Sequence, residues 1–284
     1  MRILILLFLL LICAVIIYDL AYVPAKTYIL PKVIWSYWND HDIPKDVKLI
    51  LEHRERVLHS YKHIVLYEDT LGDYIGEEPP SNYDKLTSHA NKTDWMRLTL
   101  LKKYGGCWMD ASIIINDAAE FDRLYEEAHR KKAELSAFYL ENAIYRGDPY
   151  TYIESCFLIA PKGSPLIGKW QKEFCYAITI GFDQYRKQVI HRIKNSDKIS
   201  TYLTVHATLQ IVLKDSWFRP NIVLYKAEDT IFKIHLKCWK YKDKAGECIM
   251  NRILTDKTIP GNVPFIKLTN SERKTGIDIS SYFE

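Results

Sequence analysis

No CxxC pair, HExxH stretch or GxSxG elbow occurs in this 284-residue chain. Zinc ribbons, zincin-type proteases and serine hydrolases of the common kind lose their sequence basis with them. An excess of one charge is also missing. The formal net charge is +4, with 39 basic against 35 acidic residues interspersed, so there is no extended field to hold a nucleic-acid backbone. Nucleic acid is therefore not an expected partner. Internal repeats and low-complexity stretches are absent too, which leaves a solenoid or a disordered tail without support. What remains is a composition that is 48% hydrophobic and 13% aromatic, enough to bury one sizeable core.

One long apolar run is present. Residues 3–17 follow Met1 and Arg2 without a polar break, and Tyr18 and Asp19 interrupt the run before it continues towards Val23. A span needs about 20 residues, so residues 1–23 read as an N-terminal membrane anchor helix and residues 24–284 as the globule. A cleaved signal peptide is the rival, but no small-x-small site follows and a polar stalk begins at Pro24. With Arg2 as the flanking positive charge, the N-terminus is expected in the cytosol and the globule on the lumenal or extracytoplasmic side.

The six cysteines, Cys13, Cys107, Cys156, Cys175, Cys238 and Cys248, have core-like neighbours and read as buried thiols more simply than as a disulfide. Asn91-Lys92-Thr93 is a glycosylation sequon by pattern only.

Periodicity predicts an α/β order. A buried strand KVIWSYW is followed by a helix from Pro44 to about residue 60 and a strand HIVLYE, the spacing of a parallel, Rossmann-like unit. A helix over 84–104 comes next. Beyond it we expect a helix over 121–132, strands over 136–140 and 153–160, and helices over 165–178, 184–194 and 202–213. Short strands over 222–225 and 231–235 precede a tail of turn residues.

The stretch DWMRLTLLKKYGGCWMDASIII, residues 94–115, carries the most chemistry. Asp94 and Arg97 share a helix face, Gly105 and Gly106 stop the helix, and strand alternation puts Trp108, Asp110 and Ser112 on one side. An enzyme handling a sugar nucleotide must neutralise a diphosphate, hold a polar sugar and stack a base. Asp110 is a hard oxygen donor for Mg²⁺ or Mn²⁺. By itself it could equally cap the strand or pair with Arg97.

In ordered blocks from about residue 30 to 242, LPKVIWSYW, DWMR with YGGCWMDAS, and KIHLKCWK resemble capsular polysaccharide synthesis proteins. These sit within the DxD-motif sugar transferases that include yeast initiating mannosyltransferases and clostridial glucosylating toxins. The resemblance implies a GT-A fold, a mixed sheet flanked by helices, and a retaining, metal-dependent glycosyltransferase. Its substrates would be a nucleotide-sugar donor and a glycan or polysaccharide acceptor. Trp38 takes the place of the base-stacking aromatic, against the alternative of a core residue such as Trp35. Asp94 and Arg97 match the pair on the donor's hydroxyls, against a plain ion pair.

Asp110 matches the first aspartate of DxD, and Ser112 stands where the last would be. That departure motivates a second reading, a catalytically weak or inactive nucleotide- or glycan-binding protein of the same fold. His235 and Trp239 match the segment that closes over the diphosphate. His235 would complete a metal shell with Asp110, or Lys237 or Lys240 would balance phosphate charge. Glu154 and Ser155 open the block under the reacting sugar. Glu154 would act as a nucleophile, or transfer would take a same-face route in which the leaving phosphate accepts the proton. His206 falls on a helix face with Tyr202 and Leu209 as a packing residue, outside the site.

Overall fold

The computed structural model describes residues 27–141, 148, 150–215 and 219–284. The expected anchor over residues 1–23 lies outside them. Among the described residues no helix is long and apolar enough to cross a membrane.

Strand β1 (Val33–Tyr37) is buried at all five positions, as expected of a mostly apolar strand covered on both faces. Helix α1 (Lys45–Val57) buries Val47, Ile50 and Arg54 and returns the chain to β2 (Lys62–Leu66), parallel to β1. A short helix α2 (Leu71–Ile75) leads to α3 (His89–Tyr104), and the chain then re-enters the sheet as β3 (Gly106–Met109). After β4 (Ile113–Ile115), α4 (Ala118–Arg130), β5 (Leu135–Tyr139) and β6 (Ile153–Ala160) come helices α5 (Pro165–Ile180), α6 (Phe182–Val189) and α7 (Thr204–Asp215), and strand β7 (Ile222–Lys226). The six-stranded sheet has the order β2-β1-β3-β6-β5-β7. Only β6 runs against its neighbours, so the sheet is mixed.

Period-two alternation divides the core. Trp35, Trp108 and Leu158 face α3, α5 and α7, with Met96, Leu100, Trp170 and Leu209 packed on them. Ile34, Cys107, Met109 and Phe157 face the other way, against Phe121, Leu124 and Tyr125 of α4. The Gly-Gly break turns one layer into the other. Gly105 and Gly106 have φ of +71° and +99°, a region where only glycine is unstrained. A Cβ on Gly106 would also lie 2.6 Å from the Val33 carbonyl oxygen.

The C-terminal part is more structured than its turn-rich composition suggests. It forms helices α8 (Lys233–Cys238), α9 (Ala245–Thr255) and α10 (Ile259–Asn262), strand β8 (Phe265–Lys267) and helix α11 (Asn270–Arg273). β8 pairs antiparallel with β4, and Ile114 and Ile50 join Ile234, Ile249 and Ile253 in one cluster.

Several expectations are corrected. His235 lies on a helix, because Ile234, His235 and Cys238 are buried at helical and not strand spacing. The helix over 84–104 begins at His89, since Leu86 is extended and Ser88 takes the position before the first turn. Helix α6 ends at Val189 and α7 starts at Thr204, each shifted from its expected bounds. Cys238 and Cys248 form a disulfide in place of two thiols, because the turn between α8 and α9 sets their Cα atoms 5.7 Å apart. Cys107 and Cys156 are buried thiols, as read. Asn91 is buried and its amide donates to the Tyr202 carbonyl at 2.9 Å, so the sequon is not displayed.

Candidate functional site

A cavity of about 850 Å³ opens where β3 ends and β6 begins, against α3 and α7, and where the segment after β8 crosses. Its walls include Trp38, Asp94, Arg97, Asp110, Ser112 and Glu154. Lys267, Asn270, Ser271 and Arg273 contribute from the C-terminal part. Six positions singled out along more than a hundred residues of sequence thus meet in one place.

The centre of the cavity is a connected polar network. Arg97 reaches Asp94 at 3.4 Å and Asp110 at 3.6 Å, both to Oδ1. Its Nη1 donates to the Ser155 Oγ at 2.8 Å and to the Ser155 carbonyl, and the Ser155 hydroxyl donates on to Asp94 at 3.3 Å. Arg97 also lies over the Trp108 ring, 5.0 Å from its centroid. Asp110 follows the last residue of β3, and its backbone N–H donates to the Cys156 carbonyl at 2.9 Å. The Trp108 indole N–H holds its Oδ1 at 2.9 Å, which bears out the strand-side reading of those two residues. Arg54 supports the same corner from below, donating to the Ser36 hydroxyl at 2.7 Å and to the Asp110 carbonyl at 3.3 Å.

Lys267 was not visible as a site residue in the sequence. Its ammonium donates to Asp110 Oδ2 at 2.6 Å and to Ser112 Oγ at 2.9 Å. The signal was a lone charge closing the apolar strand PFIKL, and it was hidden because the partner strand β4 lies some 150 residues earlier. Ser155, which opens the block read under the reacting sugar, joins the network through Arg97, and Ser36 and Arg54 are further members that only the fold brings in.

Burial raises Asp94, to about 6, against the pull of Arg97. Burial also pushes Asp110 up, but Lys267 and Arg97 outweigh it and hold that carboxyl below its ordinary value. Glu154 is raised to about 7, first by burial and then by the charge on Asp110. His206 is lowered to about 4 by burial. It stacks on Tyr152 with ring centroids 4.1 Å apart and borders the cavity wall, closer to the site than its sequence placed it.

Three sequence candidates are not part of the cavity lining. His235 is buried with its Nε2 3.8 Å from Glu272, a carboxylate held to about 2, where burial is opposed by hydrogen bonds. Trp239 and Lys240 lie on the exposed side of the chain after α8. Trp38 does line the cavity, with the Arg273 guanidinium 5.3 Å from its ring centroid.

Among the described residues no group of three or more His, Cys, Asp or Glu side chains converges as metal ligands. Asp110 is the one carboxylate of its motif, both of its oxygens accept hydrogen bonds, and the cation between Asp110 and Ser112 is an ammonium. A Mg²⁺ or Mn²⁺ needs at least one free carboxylate beside its phosphates and waters, and with Asp110 and Ser112 both taken by Lys267 these side chains do not fit one.

No curated protein sequence matches the chain. Solved structures resemble it at low identity. A glycosyltransferase involved in the glycosylation of the major capsid of PBCV-1 shares 11% identity, with a TM-score of 0.41, covering 86% of this chain and 97% of that one. The PaToxG glycosyltransferase shares 14%, with a TM-score of 0.41, covering 87% and 83%. The ligand-free glycosyltransferase domain of the YGT toxin shares 10%, with a TM-score of 0.40, covering 87% and 89%. The sequence pattern of one family extends over residues 21–259. With most of its length matched, the chain belongs to the capsular polysaccharide synthesis protein family.

Proposed function

We propose that the protein is a GT-A-type glycosyltransferase that moves a sugar from a nucleotide-sugar donor to a glycan or polysaccharide acceptor. The observation that carries this reading is the Asp94–Arg97–Ser155–Asp110–Lys267 network lining one wall of an 850 Å³ cavity. Family membership supports it. Trp38, beside Arg273, offers a face for the base. Asp94 and Ser155 can take the hydroxyls of the donor sugar, and their geometry is fixed because Arg97 holds both.

Arg97 and Lys267 supply two positive charges on either side of Asp110. Fixed cations aimed at a leaving diphosphate stabilise charge as it develops, without rearranging at the moment of reaction. The metal expected from the sequence resemblance is therefore given no step, and its charge is assigned to Lys267. In the transfer, the bond from the sugar's anomeric carbon to the diphosphate oxygen breaks and a bond to the acceptor oxygen forms. The acceptor's proton passes to the leaving diphosphate, on the same face, so configuration is retained. Glu154, with its carboxyl near neutrality, accepts a hydrogen bond from the acceptor hydroxyl and orients it.

A panel of UDP- and GDP-sugars, with release of nucleoside diphosphate as the readout, tests the activity. Silence across the panel, with Asp110→Ala indistinguishable from wild type in donor binding, would remove the proposal. NMR of the product anomer tests retention separately, and inversion would refute the same-face route.

A further inference from the structure

Trp239 and Lys240, expected at the cavity, lie on an exposed ridge just outside its lining. Seven large hydrophobic side chains among the described residues are exposed, and three of them, Leu236, Trp239 and Tyr241, fall within six residues. Between and beside them stand Lys237, Lys240, Lys242 and Lys244, all exposed. With Lys233, the twelve residues KIHLKCWKYKDK hold five lysines against one aspartate, a local excess equal to the net charge of the whole chain. None of Lys237, Lys240, Lys242 and Lys244 has an ion-pair partner among the described residues, whereas Lys45, Lys102, Lys131, Lys194 and Lys226 each do.

An aliphatic side chain with a Trp and a Tyr, set among lysines without ion pairs, one of them over the Tyr241 ring at 5.0 Å, is costly to leave in water and matches a bilayer's headgroup boundary. There the rings sit at the interface and the ammonium groups meet anionic headgroups. The ridge is held rigidly. The Cys238–Cys248 disulfide ties its middle to α9, while Ile234 and Cys238 anchor its inner face in the C-terminal cluster. It also borders the cavity: the Phe232 ring, part of the cavity wall, is 6.4 Å from that of Trp239.

We propose that the Leu236–Trp239–Tyr241 ridge and its lysines dock the globule on an anionic lipid surface. The sequence already brings the chain to a membrane through the apolar run over residues 3–17. Among the described residues the chain enters the globule near Ile29, whose carbonyl accepts from Lys162 N–H beside the start of β3, at the opposite end of that strand from Asp110. A tether there leaves the direction of the cavity free. The ridge supplies a second contact that fixes it.

The test uses the full chain in three settings: detergent micelles, nanodiscs of phosphatidylcholine, and nanodiscs of equal parts phosphatidylglycerol and phosphatidylcholine. Hydrogen exchange of residues 236–242 is expected to slow at least about fivefold in the anionic discs relative to the neutral ones. The triple substitution K237E/K240E/K242E, on exposed side chains, should erase that difference while exchange in the central sheet stays as in wild type. Equal exchange in both discs, or slowing that survives the triple substitution, would overturn the proposal. So would equal protection by polygalacturonate in micelles, which would make the partner an acidic glycan.

Discussion

The cavity and the ridge after α8 are built from the same residue types, tryptophan and cationic side chains beside a few acids, and they handle them in opposite ways. In the cavity Trp108, Arg97, Lys267, Asp94 and Asp110 all have partners within the protein. On the ridge Trp239, Lys237 and Lys240 are turned outwards. Partnering inside a low-dielectric pocket fixes positions to within a hydrogen bond and sets charge states. Outward lysines instead create a field that falls off within a Debye length. A residue's type therefore says little about its role until its neighbours are known.

The contrast can be broken first with single deletions. Arg97→Ala should lower stability by about 3–5 kcal/mol, because Asp94 is left as an uncompensated buried charge while Asp110 keeps Lys267. Lys240→Ala on the ridge should stay within about 0.5 kcal/mol, both read by chemical denaturation. Similar losses at the two positions would erase the distinction.

Next in size is Lys267→Met, for which turnover should fall about 100-fold. Wild type treated with EDTA should keep its turnover to within about threefold of the untreated enzyme. A large EDTA loss restored by Mn²⁺ would show that a metal and not Lys267 carries the charge beside Asp110.

Reduction of Cys238–Cys248 sharpens the ridge side. Closing a loop with a sequence separation of 10 is worth about 2–3 kcal/mol, so the C-terminal helices should exchange faster in dithiothreitol while the central sheet changes little.

The smallest effect is a pH dependence. A carboxyl raised from 4.5 to about 7 in the fold binds its proton more tightly folded than unfolded. Stability is therefore lost as pH rises from about 4.5 to 7. Glu154→Gln should remove that loss, gaining roughly 1–3 kcal/mol over wild type at pH 8 and little at pH 4. A parallel offset at both pH values would contradict the raised carboxyl.

The first half of this fold was legible in the sequence because its contacts are local in pattern. β1, α1, β2, α3 and the Gly-Gly break follow from apolar periodicity and glycine, and they carry Trp38, Asp94, Arg97 and Asp110 to the cavity. What stayed hidden depends on pairing across long separations. β8 finds β4 through Ile113, Ile114 and Ile115, and only that register brings Lys267 to Asp110. The disulfide and helical His235 escaped for a related reason, since a six-residue helix shows too little of its period to be told from the short strand expected over 231–235. Ser112 in the motif was legible as a departure. What it pairs with was not.

The most direct test of the account is sugar transfer by full-length Asp110→Asn against wild type, using the donor that wild type accepts and with folding checked by circular dichroism. The substitution keeps the shape of Asp110 and its place beside Trp108 but removes the charge between Arg97 and Lys267. Transfer should fall about 100-fold or more with the fold intact; transfer within twofold of wild type would contradict the claim that this network is the catalytic centre.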